Sequence, residues 1–219
     1  TVKLNTPGYS MIGINFNSIE GTGIPLQDLF LPSSLYPGED YEDFDNCDQM
    51  IFWDNDSQGF TRFYYVNIGE GPFWYDEGGN PATNKVSPGT AFWFYRPSTN
   101  GQEYAKIAGQ VDERETIERT FLEGYSMFAK GFPIETLIGQ GLAGYPGEGY
   151  EDFDNCDRII VWDNESKAYF TYFYVDLGEG SKWYDESGNL VSKNFLVGMG
   201  AWYLNQGTNA LEWSENNPL

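Results

Sequence analysis

The twenty residues from Tyr36 to Asn55 recur from Tyr145 to Asn164 with 16 positions identical at a constant shift of 109. A second marker, Gly8-Tyr9-Ser10-Met11, returns as Gly124-Tyr125-Ser126-Met127 at a shift of 116. The chain is a tandem duplication. Its 219 residues divide into repeat one, 1–111, and repeat two, 112–219, each long enough to bury a core of its own. The drop of seven in the shift places a longer surface excursion in repeat one, Asn15 to Leu35 against Ile134 to Ala143. The junction Asp112-Glu113-Arg114-Glu115 is short and has no Gly/Ser tract, which predicts a rigid, rod-like pair held in one orientation.

Within each repeat the hydrophobic period is that of strands. Met50-Ile51-Phe52-Trp53 and Ile159-Ile160-Val161-Trp162 are apolar on both faces, as a central strand is. From Phe60 to Asn67, Phe60, Arg62, Tyr64 and Val66 share one face and Thr61, Phe63 and Tyr65 the other. The intervening turns, Asp54-Asn55-Asp56-Ser57 and Asp163-Asn164-Glu165-Ser166, carry side chains that bond nearby backbone. Further strands are expected at Phe73 to Asp76 and Lys182 to Asp185, before Gly-Asn turns, and at Ala91 to Tyr95 and Ala201 to Leu204. Val2-Lys3-Leu4 reads as an opening strand and Tyr104 to Val111 as a closing one, while Ile24 to Phe30 suggests a short helix. The fold class is all-β: two tandem homologous β-sandwich or open-barrel domains of antiparallel strands.

Charge narrows the partners. With 33 acidic and 12 basic residues the net charge is -21, which opposes binding to nucleic acid or anionic lipid. No run of 18 apolar residues is present, so no membrane insertion is expected. An 18% aromatic content excludes disorder despite that charge. A start at Thr1, few Lys and the acidic balance fit a processed protein that is secreted, extracellular or at the cell surface.

Three sets of residues are candidates for a site. Asp43, Asp45 and Asp48, repeated as Asp152, Asp154 and Asp157, are closely spaced carboxylates that suit a hard cation such as Ca²⁺. They lack the Gly and terminal Glu of an EF-hand loop, and the alternative is a solvated acidic loop whose side chains cap backbone amides. Cys47 and Cys156 occupy equivalent positions: they pair as a disulfide only across a pseudo-two-fold axis or between molecules, and otherwise are buried thiols. Trp74 and Tyr75, with Trp183 and Tyr184, stack sugar rings if exposed and fill the core if not. There is no His, so His-dependent dyads and metal sites are absent, and no unrepeated acid pair stands out. A non-enzymatic protein is expected.

The order of these motifs (Gly-Tyr-Ser-Met, the Asp before an apolar strand ending in Trp-Asp-Asn, the Tyr/Phe-rich strand, the Trp-Tyr hairpin and a final aromatic strand) resembles an uncharacterised class of secreted, β-rich tandem repeat modules of bacterial surface and extracellular proteins. The resemblance implies an extracellular location and a β fold, and brings no activity or site residues with it. Rigidly joined, similar domains and strand-like tails at Val2-Lys3-Leu4 and Ala210 to Ser214 lead to the expectation of a structural subunit of an extracellular filament, sheath or surface layer. Copies would join head to tail by strand complementation. The alternative is a carbohydrate-binding module with glycans as partners.

Overall fold

In the computed structural model, which describes residues 2–5, 7–40, 44–97 and 103–218 apart from the side chains of 150–152, the chain is all β, with short 3-10 turns. Repeat one supplies β1 (Gly8–Gly13), β2 (Gln49–Asp54), β3 (Gly59–Asn67), β4 (Pro72–Asp76) and β5 (Ala91–Arg96). Repeat two supplies β6 (Gly124–Ala129), β7 (Arg158–Asp163), β8 (Ala168–Asp176), β9 (Ser181–Asp185) and β10 (Gly200–Asn205). Each set forms an antiparallel five-stranded sheet, in the orders β1-β5-β2-β3-β4 and β6-β10-β7-β8-β9. The strands that are apolar on both faces, β2 and β7, are the middle strand of each sheet.

Alternation along the strands sends Ile12, Met50, Phe63, Tyr65, Trp74, Phe92 and Phe94 into the core of repeat one. That core is roofed by Leu26, Leu29 and Phe30 and by two-residue ladders, Ile24–Pro25 with Lys85–Val86 and Val2–Lys3 with Tyr104–Ala105. Repeat two is built alike around Phe128, Ile159, Val161, Tyr172, Trp183 and Tyr203. Each fully buried ring or branched side chain contributes roughly 1.5–3 kcal/mol. Each half is thus a sandwich-like unit, and neither sheet closes into a barrel.

Two local expectations are corrected. Ile24 to Phe30 is a ladder strand followed by one 3-10 turn, Leu26–Asp28, because Ile24 and Pro25 are held extended by pairing with Val86 and Lys85 and only the next three residues turn. The closing strand shrinks to Tyr104–Ala105. The tails are paired at home: Val2–Lys3 joins Tyr104–Ala105, and Leu211–Asn216 runs six residues in register with Thr116–Phe121. One edge of each tail strand is therefore occupied within the chain.

The outer face of each sheet is covered in two parts. Over β3 and β4 lies the duplicated acidic stretch: Gly38 N donates to Tyr65 O and Asn67 N to Gly38 O, both at 2.9 Å, with Gly147 bonding Tyr174 and Asp176 in the same way. Phe44 stacks on Tyr64 and Phe153 on Phe173, both at 4.2 Å. Cys47 and Cys156 are buried thiols beneath these lids, with Sγ 3.3 Å from Phe44 O and 3.4 Å from Phe153 O. The rest of the outer face, over β1, β5 and β2, packs against the same face of the other repeat. The two halves therefore lie face to face, and the expected rod is not formed.

Candidate functional site

The contact between the halves obeys an approximate two-fold symmetry. Gly13 N donates to Gly198 O and Ala129 N to Gly89 O, both at 2.8 Å, and these two bonds join equivalent positions. So close an approach needs small residues at the crossing. A Cβ on Gly13 would stand 2.2 Å from Met199 O, and one on Gly200 would stand 2.8 Å from Met11 Cγ. Around this point Met11, Ile51, Ala91, Trp93, Met127 and Ala129 form a shared apolar cluster, flanked by Trp53, Trp162 and Trp202.

The tryptophans meet in exchange. Trp53 of β2 lies edge-on to Trp202 of β10 at 5.2 Å, and Trp93 of β5 edge-on to Trp162 of β7 at 5.4 Å. Each pair gains a third ring from the long strand and a fourth from the Gly-Tyr-Ser-Met strand. Tyr169 lies 4.9 Å from Trp162 and 6.3 Å from Trp93, and Tyr9 lies 6.2 Å from Trp93. On the other side Phe60 lies 4.9 Å from Trp53 and 6.2 Å from Trp202, and Tyr125 lies 6.1 Å from Trp202.

Two clefts open along these rings. The first, about 300 Å³, is lined by Tyr9, Ile51, Phe60, Arg62, Trp93, Trp162 and Tyr169. The second, about 460 Å³, is lined by Trp53, Tyr125, Ile160, Tyr169 and Trp202, so that Tyr169 borders both. The outer rings remain open to solvent: Tyr9 is 47% exposed, Phe60 50%, Tyr125 43% and Tyr169 50%. Rings held rigidly with one face wet are the usual lining of a small-ligand or glycan site.

The clefts differ in polarity. In the second, Trp53 Nε1 donates to Tyr125 O at 2.9 Å, and Gln58 Nε2 reaches the same carbonyl at 3.0 Å. The counterpart of Trp53, Trp162 in the first cleft, has a buried Nε1 with no acceptor among the described residues. The Tyr9 carbonyl receives Asn5 Nδ2 instead. Burial also raises the Tyr169 phenol above its ordinary range, so it stays a neutral hydrogen-bond donor and acceptor. The first cleft thus offers Arg62 and the Tyr169 hydroxyl beside its rings.

The residues singled out from the sequence lie elsewhere. Trp74, Tyr75, Trp183 and Tyr184 are all buried, because they alternate between the core and the acidic lid; none stands on an exposed platform. Asp48 is buried and paired with Arg96, whose Nε donates to Oδ1 at 2.8 Å and whose Nη2 also bonds the carboxylate. Burial pushes the Asp48 carboxyl above its ordinary range, while Arg96 and the Tyr36 amide oppose the shift. Asp157 is buried too, whereas Asp45 and Asp154 are exposed and Asp154 meets Arg158 at 3.2 Å. Asp43 and the side chain of Asp152 lie outside the described residues. The described carboxylates do not converge on a cation, and no group of three or more His, Cys, Asp or Glu does so among the described residues. Asp48 and Asp157 are spent inward on the fold.

What sequence reasoning missed was the use of Tyr9, Phe60, Tyr125 and Tyr169. Their signal was present: alternation puts Tyr9, Trp53, Phe60 and Trp93 on the face away from the core. No family model matches the chain, and no curated protein or solved structure does either. Among the described residues no helix is long and apolar enough to cross a membrane.

Proposed function

We propose that the protein is a non-enzymatic, extracellular glycan-binding module whose site is the pair of aromatic clefts between its repeats. One observation carries the reading: the same four-ring arrangement is built twice, from equivalent residues, with its outer rings left exposed. The axial C–H groups of a pyranose present an apolar face to such rings, and its hydroxyls suit the polar groups of the first cleft. A net charge of -21 repels carboxylated or sulfated chains, so the ligand class is neutral. Two clefts meeting at Tyr169 suit successive sugars of one chain.

A glycan array followed by titration of intrinsic tryptophan fluorescence tests this. Neutral oligosaccharides should bind and shift the emission. Tyr9→Ala and Tyr169→Ala, which remove half-exposed rings, should each weaken binding by about tenfold or more, about 1.4 kcal/mol, without lowering the melting temperature. Absence of any neutral glycan ligand at millimolar concentration sinks the reading.

A second reading, a structural subunit of an extracellular filament, sheath or surface layer, is favoured by the same exposed rings, which another copy can cover. It does not draw on the contact between repeats, which is closed and two-fold; the tails, paired within the chain along one edge each, keep a second strand edge for a neighbouring copy. Light scattering coupled to size exclusion separates the two: glycan binding by a concentration-independent monomer favours the first.

A further inference from the structure

The two cores differ at one rim. At the constant shift, Tyr172 stands where repeat one has Phe63, Val161 where it has Phe52 and Lys193 where it has Asn84. In repeat one the Phe63 ring is met by Phe52, with centroids 5.8 Å apart. Val161 brings no ring to Tyr172, and repeat two has a cavity of about 340 Å³ here, whose walls include Phe170, Tyr172, Val191, Lys193 and the turn residues Asp185 and Glu186. Tyr172 is only 5% exposed, yet the hydroxyl it adds to the core has no hydrogen-bond partner among the described residues. The cavity lies on the core side of β8, across the strand from Tyr169 and the aromatic clefts.

Charge around that hydroxyl is unbalanced. Burial first, then the carboxylates of Asp185, Glu186 and Asp163, push the Tyr172 phenol above its ordinary range, so it is a neutral group able to accept a hydrogen bond. Lys193 is the cation of the cavity wall, and it is turned aside: its Nζ lies 4.2 Å over the Phe170 ring and 3.7 Å from Asp163 Oδ2. Asp185 Oδ1 is taken by its own turn, accepting from Ser187 N at 2.9 Å and Asn189 N at 2.8 Å. Glu186 is exposed and makes no hydrogen bond or ion pair among the described residues. No three acids converge as a metal ion requires among the described residues, so the cation that suits the cavity is organic.

We propose that this cavity binds a primary alkylammonium group presented from outside the chain, whose N–H groups donate to the Tyr172 hydroxyl and the Glu186 carboxylate while its carbon chain lies against Val191. A compact ammonium, with three separately directed donors, suits two acceptors of different kinds, whereas a planar guanidinium is built for the paired oxygens of one carboxylate. The site is independent of the aromatic clefts and stands whether or not they bind a glycan. Repeat one has Phe63 here and lacks the hydroxyl, so one site per chain is expected.

The test is titration of the ¹⁵N-labelled full chain at about 0.15 M NaCl, which screens diffuse attraction to the acidic surface. The probes are n-butylammonium chloride, Nα-acetyl-lysine amide and, as an uncharged control of similar length, Nα-acetyl-norleucine amide. Saturable shifts of the Ser187 and Ser192 amide signals with both amines, at one site per chain, and none with the norleucine derivative, are expected. Tighter binding of the lysine derivative assigns the ligand to a protein side chain, and equal or weaker binding assigns it to a free amine. Tyr172→Phe restores the residue that repeat one carries, so it should keep the melting temperature, and it should weaken binding about fivefold or more, as loss of one hydrogen bond to a charged group does. Glu186→Gln, an exposed change, should weaken it as well. The proposal is overturned by an absence of saturation at about 50 mM, by equal shifts with the norleucine derivative, or by undiminished affinity in Tyr172→Phe.

Discussion

Gly144 illustrates how little room the buried aspartate leaves. A Cβ there would stand 1.9 Å from Asp157 Oδ2 and 2.3 Å from the Tyr203 hydroxyl oxygen, so a methyl group must displace the carboxylate or its donor. Gly144→Ala should cost about 1–3 kcal/mol in urea denaturation, as overpacking does, and an unchanged midpoint contradicts the geometry. Asp112 makes a pH-dependent counterpart. Arg114 bonds it through Nε at 2.8 Å and Nη2 at 2.7 Å, and Asn17 Nδ2 through 2.8 Å. The Arg114 guanidinium, then its amide and Asn17, hold the carboxyl down to about 2 against the opposing effect of burial. The folded value lies below the unfolded one, so the stabilisation is complete above about pH 4 and is lost as pH falls toward 2. Discounted for the exposure of Arg114, it amounts to about 1–2 kcal/mol. Asp112→Asn should flatten the fall in unfolding free energy across that window. At this scale the sequence showed which acids are doubled but not what they touch. Asp48 and Asp157 sit in a run that reads as a solvated loop, and their partners Arg96 and Tyr203 come from a strand far along the chain.

Turns do more than reverse the chain. Asn164, in the turn between β7 and β8, places its amide across the interface, with Nδ2 3.2 Å from Met11 O and Met11 N 3.1 Å from Oδ1. The side chain completes an edge strand of the other repeat as a further strand would. A glycan on Asn164, within Asn164-Glu165-Ser166, would break this pair, which fits the ordinary turn reading of that tripeptide. Asn55, its equivalent, has a buried Oδ1 with no partner among the described residues, and Gln58 serves Tyr125 instead. The two substitutions should therefore diverge: Asn164→Ala should cost about 1–2 kcal/mol, and Asn55→Ala should fall within about 0.5 kcal/mol of neutral in the same denaturation assay. Equal effects contradict the asymmetry. Strands were the legible elements, because alternation in Phe60 to Asn67 and two-sided apolarity in Met50 to Trp53 encode face and depth directly. Ile24 to Phe30 was misread because one turn of apolar spacing is common to a helix and to a ladder strand running into a 3-10 turn.

The arrangement of the two repeats was implied by a feature that the rod-like expectation did not use. An antiparallel strand apolar on both faces needs cover on both, and the acidic lid reaches only β3 and β4. Ile51, Trp53 and Trp93 need another surface, and the duplication supplies one, since a patch that is apolar in one repeat is apolar in the other. A self-complementary patch joined by a short linker closes on its copy as a symmetric dimer interface does. The aromatic clefts follow from this closure, because each contains rings from both halves, and the candidate site exists only while the halves are together. Gly13 is the test of that dependence. Its absent side chain allows the Gly13 to Gly198 bond, and a larger residue pushes into Met199 O, 2.2 Å from where a Cβ would stand. With the halves sharing one apolar cluster, the native chain should unfold in a single calorimetric transition. Gly13→Val should separate the sheets before either core is lost, giving two transitions, a red shift of tryptophan emission ahead of the first, and loss of glycan binding. A variant that keeps one transition and native emission would show that the sheets tolerate the intrusion and that the clefts do not depend on the close crossing at Gly13.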